Sequence, residues 1–165
     1  MPVEKNESVE KLCVSLRCTL GCLLILSAIL KFASIASFTH EIQLFVDLYL
    51  LDFLHEWSSA IAVTVSVSEL IIGTLALTGK YIMAVSVMLV VMFSFFLYLT
   101  GLNAFFPPEF FGSIESCGCF GELIHFTPMA SFYKSFVLWG MAVILLTIMI
   151  KKNGWVLFRN KRNRL

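Results

Sequence analysis

The chain has 165 residues, 59% hydrophobic and 14% charged, with a net charge of +1 and a mean hydropathy of +0.89. A soluble domain carries about a quarter charged residues, so this composition excludes one and points to a single all-α integral membrane domain over residues 1–165. The sequence contains no Gly-rich phosphate loop, no Ser/His/Asp arrangement and no nucleic-acid motif, and it shows no internal repeat.

Residues 1–11 are polar, with Glu4, Lys5, Glu7, Glu10 and Lys11. The apolar run behind them ends in Ala33-Ser34-Ile35-Ala36-Ser37, which invites a signal-peptide reading. The acidic leader, the length of the run and Lys31 just before that stretch argue against it. Thr19-Leu20-Gly21 before Cys22 is likewise a poor lipoprotein signal. Residues 13–36 are therefore expected to form the first transmembrane helix. Residues 38–56 are mixed: Ile42, Val46, Tyr49 and Phe53 share a helical face, while Glu41, Asp47, Asp52, His55 and Glu56 interrupt it. This pattern predicts a short interfacial helix after helix one, with Trp57 at the membrane boundary.

Helix two is expected at 58–78 and helix three at 81–103, joined by the tight turn Gly79-Lys80, so the two run antiparallel. Asn103 and Pro107-Pro108 are expected to stop helix three and open a long loop, 104–129. Helix four follows at 130–150, then a basic tail. The expectation is an antiparallel four-transmembrane-helix bundle.

Charge placement orients it. Segments 1–11, 79–80 and 151–165 hold nine of the twelve Lys and Arg residues. Segments 38–57 and 104–129 hold none, and together carry seven acids. Each crossing flips the side and the pattern agrees at every crossing, which predicts cytoplasmic termini and an extracytoplasmic 104–129 loop.

That loop carries Cys117-Gly118-Cys119-Phe120-Gly121. Two thiols separated by one glycine can close a small disulfide ring, because the glycine admits backbone angles that a Cβ would hinder. Strained rings of this kind exchange readily, and the outer face of a bacterial inner membrane is where disulfides persist. Cys117 and Cys119 are thus the candidate redox pair, attacked by a partner thiolate through a mixed disulfide. Glu115 and Glu122 disfavour a thiolate, so activation falls to a more distant cation such as Lys134 or His125. Phe120 and Gly121 are expected to support the loop rather than react.

These features resemble the MauE/DoxX group of redox-associated membrane proteins: the Cys117–Gly121 stretch, then Thr127-Pro128 and Ser131-Phe132-Tyr133-Lys134 entering the last helix. Weaker matches are Arg17, Lys31 and Glu69-Leu70-Ile71-Ile72-Gly73. The resemblance implies a role in maturing disulfide-containing proteins beside a thioredoxin-like partner; thiol exchange itself requires no cofactor.

Other residues call for alternative readings. Phe105, Phe106, Phe110 and Phe111 read as an interfacial aromatic belt; the sharper alternative is a quinone pocket, as in the four-helix disulfide-forming enzymes. Cys13, Cys18 and Cys22 read as small packing residues, far from the loop. Cys117, Cys119 and His125 fit no standard zinc spacing, although two thiolates suit copper(I); no metal is assigned. Glu69 lies about 18 Å from the outer face by helical rise, so it must be protonated or paired and face the bundle. Arg17 and Lys31 each sit about 10 Å away in depth; either long side chain could lean toward it, and neither is an obvious match. Glu69 is read as a buried polar clamp or as part of a proton path. Three functions remain open: a thiol–disulfide carrier or maturation factor, a non-catalytic assembly subunit with a loop staple, and a quinone-coupled oxidoreductase subunit.

Overall fold

The computed structural model describes residues 3–48, 55–105 and 127–162. The chain forms α1 (Val3–Ala33), α2 (Ile35–Leu48), α3 (Ser58–Thr78), α4 (Ile82–Phe105) and α5 (Pro128–Arg162), with no strand among the described residues. Four stretches are long and apolar enough to cross a bilayer: Glu7–Ala33, Ser58–Thr78, Ile82–Phe105 and Pro128–Lys152. The fold is a four-helix membrane bundle.

Helix boundaries differ from the sequence expectation at several ends: α1 stops at Ala33 rather than 36, α2 starts at Ile35 rather than 38, and residues 55–56, expected to close that surface helix, form a turn with Trp57. Helix α1 begins at Val3 rather than 13, so the polar leader is the first part of the same helix. Its Glu7 and Lys11 pair at 2.8 Å one turn apart, an arrangement that favours helix over coil. Helix α4 continues through Asn103, which is buried inside it, and ends at Phe105 just ahead of the prolines. Helix α5 starts at Pro128 and runs through the basic tail to Arg162, beyond the expected 150. Its start is well specified: the Ala130 N–H donates to the Thr127 hydroxyl at 3.3 Å, and proline occupies the first helical position.

The helices alternate in direction. Along α1 and α3 the contacts run in opposite order, Lys31 with Glu69, Gly21 with Gly73 and Arg17 with Gly79. Helices α4 and α5 pair the same way, through Phe105–Phe132 at 5.1 Å and a Trp139 Nε1–H bond to Ser94 Oγ at 2.9 Å. Gly79 caps α3 at φ 68°, donating its N–H to the Leu75 carbonyl. The left-handed φ favours glycine there, and a Cβ would also displace the movable Arg17 guanidinium.

One end of the bundle, the loop end, therefore holds the end of α1, the start of α3, the end of α4 and the start of α5. The opposite, basic end holds Lys11, Lys80, Lys151 and Lys152. Helix α2 leaves α1 after a turn at Ser34 and packs mainly on α3. Its buried side chains are Phe38, Glu41 and Val46. The expected apolar face on this segment thus needs correction: Val46 belongs to it, but Glu41, read as an interruption, is buried with it. Tyr49 and Phe53 lie outside the described residues.

Candidate functional site

The inward side chains change character along every helix. On α1, Cys13, Leu20 and Leu24 give way to Ser27 and Lys31. On α3, read from the loop end, Ser58, Ser66 and Glu69 give way to Gly73 and Ala76. Helix α4 runs from Val85, Leu89 and Phe93 to Thr100 and Asn103, and α5 from Ser131 and Ser135 to Ala142, Leu145 and Met149. Among the described residues, Ser86 is the one buried polar side chain in the apolar half, and its hydroxyl donates to the Ile82 carbonyl of its own helix at 2.7 Å. The polar half of the core lies at the loop end.

At its centre Lys31 and Glu69 form an ion pair with no solvent exposure on either side chain. Ser27 donates its hydroxyl to Glu69 Oε2 at 3.1 Å, while Lys31 engages Oε1. The Lys31 ammonium also lies 5.0 Å from the Phe38 ring centre and 4.9 Å from that of Phe96. Two aromatic faces and one carboxylate thus replace its water shell.

Reach explains why depth alone hid this pair. A helical Cβ points toward its helix N-terminus. On α1 that tilts Lys31 back toward mid-bundle; on the antiparallel α3 it tilts Glu69 toward the loop end. The two side chains close the gap in depth between their backbones.

Beside the pair lies a cavity of about 30 Å³, bordered by Ser27, Glu69, Lys134 and Ser135. Most of its wall is hydrocarbon, including Phe93 and Phe96. One turn nearer the loop end, Ser131 is fully buried and its hydroxyl has no hydrogen-bond partner among the described residues.

Arg17 takes no part. It sits at the basic end against Gly79, with a buried Nε lacking a partner among the described residues. Cys13, Cys18 and Cys22 are free thiols, buried, half-buried and exposed respectively, and Cys13 is part of the apolar core. Cys117, Gly118, Cys119, Phe120, Gly121 and His125 lie outside the described residues. No group of three metal-ligating side chains occurs among the described residues.

Sequence reading singled out Glu69 with Lys31 and Arg17 as its two candidate partners, placed Lys134 by the loop and Ser131 in the stretch entering the last helix, and missed Ser27, Phe38, Phe96 and Ser135. The missed signal was spacing. Ser27 and Lys31 are four apart on α1, and Ser131, Lys134 and Ser135 lie on one face of α5.

An antiparallel bundle of four spanning helices with a buried ion pair toward one end defines a multi-pass membrane protein. The chain belongs to the MauE family: the family model described as Methylamine utilisation protein MauE matches residues 9–150. No curated protein and no solved structure matches the chain.

Proposed function

We propose that the chain is a membrane thiol–disulfide carrier or maturation factor, working through Cys117 and Cys119 on the extracytoplasmic face. The observation that carries this reading is the MauE family match, whose span of 9–150 includes the whole Cys117–Gly121 stretch. The family's description ties it to methylamine utilisation; here the reading extends only to maturation of a disulfide-bearing protein. Charge distribution supports the sidedness, with the loop outside the inner membrane of a bacterium and both termini in the cytoplasm.

In the exchange, a thiolate of a thioredoxin-like partner attacks the Cys117–Cys119 disulfide, and one loop sulfur leaves as a thiolate. The partner's second thiol then breaks the mixed disulfide. The partner gains a disulfide, the loop becomes a dithiol, and two electrons have moved without net proton release. A second extracytoplasmic disulfide protein resets the loop by the reverse steps.

Substituting Cys117→Ser or Cys119→Ser tests the reading. Partner oxidation should fail while membrane levels stay normal, and one single variant should accumulate the mixed disulfide. Normal partner oxidation with reduced membrane levels instead assigns the pair a stapling role. Impermeant thiol reagents on intact cells should label the reduced pair; labelling only after the membrane is permeabilised would refute the sidedness.

A further inference from the structure

The basic end of the bundle holds more cations than its acids can neutralise, and two of the surplus cations meet at the turn between α3 and α4. We propose that Arg17 and Lys80, with the first turn of α4, hold the phosphate of an anionic phospholipid in the leaflet at that end.

The balance of charge carries the inference. Among the described residues the basic end presents Lys11, Arg17, Lys80, Lys151 and Lys152 against the carboxylates of Glu7 and Glu10. Both carboxylates are engaged elsewhere: Glu7 pairs with Lys11 at 2.8 Å, and Glu10 lies 4.0 Å from Lys152. Glu4 stands about 20 Å from Arg17 along α1 by helical rise, too far to serve it. Residues 153–165 add cations and no acidic side chain. Arg17 and Lys80 therefore make no ion pair among the described residues.

Geometry brings these two cations to one place. The Arg17 guanidinium lies against Gly79, where a Cβ would have to displace it, and the exposed Lys80 is the next residue. Arg17 is half-buried, with its Nε hidden and unpartnered among the described residues. An uncompensated cation at such a site is costly, so a counter-charge from outside the protein is favoured. The same turn opens α4. Lys80 and Tyr81, which precede that helix, offer no Ser, Thr, Asp or Asn to cap it. The N–H groups of Ile82, Met83 and Ala84 thus add the positive end of a 24-residue helix to the two side chains.

Depth identifies the source of the phosphate. The spanning stretch of α3 ends at Thr78 and that of α4 begins at Ile82, so Gly79, Lys80 and Tyr81 occupy the headgroup layer. Tyr81 is 79% exposed there, at the level where interfacial tyrosines sit. Phosphate in that layer belongs to lipid, and an anionic lipid supplies the negative charge that two unpaired cations attract.

Native mass spectrometry of the full chain, released from bilayer discs of equal phosphatidylglycerol and phosphatidylcholine, tests this. The chain should retain one phosphatidylglycerol in preference to phosphatidylcholine. Titration in mild detergent should show phosphatidylglycerol binding weakened about fivefold by Lys80→Gln and by Arg17→Gln, the effect of one basic side chain at a lipid surface. Lys80 is exposed on a turn, so its variant decides the matter even if Arg17→Gln does not accumulate. Lys11→Gln removes the same charge from the same end and should change binding by less than about twofold. Equal losses from Lys11→Gln and Lys80→Gln would reduce the site to a diffuse basic field and overturn the proposal. So would equal retention of the two lipids, or an Arg17→Gln variant that unfolds more easily yet keeps its lipid. Displacement of phosphatidylglycerol by inorganic phosphate at matching concentration would overturn the assignment to lipid. The double variant Cys117→Ser/Cys119→Ser should bind the lipid normally, because the site makes no use of the loop thiols.

Discussion

From Cys13 to Leu24 the core-facing side chains of α1 are apolar, and one turn later Ser27 and Lys31 occupy the same face. All four spanning helices make this change at similar depth. Lipid tails are as apolar as leucine, so burying leucine between helices gains little from the hydrophobic effect, and the apolar half must cohere by close packing. It does so through small residues. A Cβ on Gly21 would stand 3.0 Å from the Gly73 carbonyl, and one on Gly73 would stand 2.9 Å from Ile25 Cγ1. The loop-end half coheres differently. It holds an ion pair, a hydroxyl donor and two aromatic rings around one ammonium, groups that are costly in lipid unless they satisfy each other. The apolar half is held by shape; the polar half is held by charge and hydrogen bonding.

The contrast makes graded predictions. Breaking the charge pair should cost most. Lys31→Met leaves Glu69 buried without its cation and should destabilise the bundle by about 3–5 kcal/mol, read from denaturant unfolding in mild detergent. The double variant Lys31→Met/Glu69→Leu should recover most of that loss. A double variant as unstable as the single would show that the pair does more than neutralise itself. Leu89→Ala should come next, at about 2–3 kcal/mol from the cavity it leaves, read from the same unfolding measurement. Gly73→Ala should follow at about 1–2 kcal/mol, because Ile25 and the Gly21 carbonyl must yield; cross-linking between α1 and α3 should report the wider spacing. Trp139→Phe should be mildest, losing the bond to Ser94 for about 0.6 kcal/mol. An effect from Trp139→Phe larger than that from Lys31→Met would erase the distinction between the halves.

The chain by itself determined the membrane class and the number of spanning helices, because about 20 apolar residues in a row have few other uses. It also determined the turn at Gly79 and the stop before Pro107, since both depend on local backbone chemistry. Helix ends were less legible. Lipid gives no signal where a helix projects beyond it, so the polar leader and the basic tail fell outside the expected spans yet form the extensions of α1 and α5. Glu69 announced itself as a polar residue in an apolar run, but which of Arg17 and Lys31 pairs with it did not show. That match depends on the rotation of α1 against α3 and on two side chains leaning toward each other from different depths. Ser131 and Ser135 were ordinary serines until α5 turned them inward. Hydropathy along a chain is a one-dimensional quantity, whereas the gathering of nine buried polar residues at one end, among the described residues, is a property of four helices set side by side.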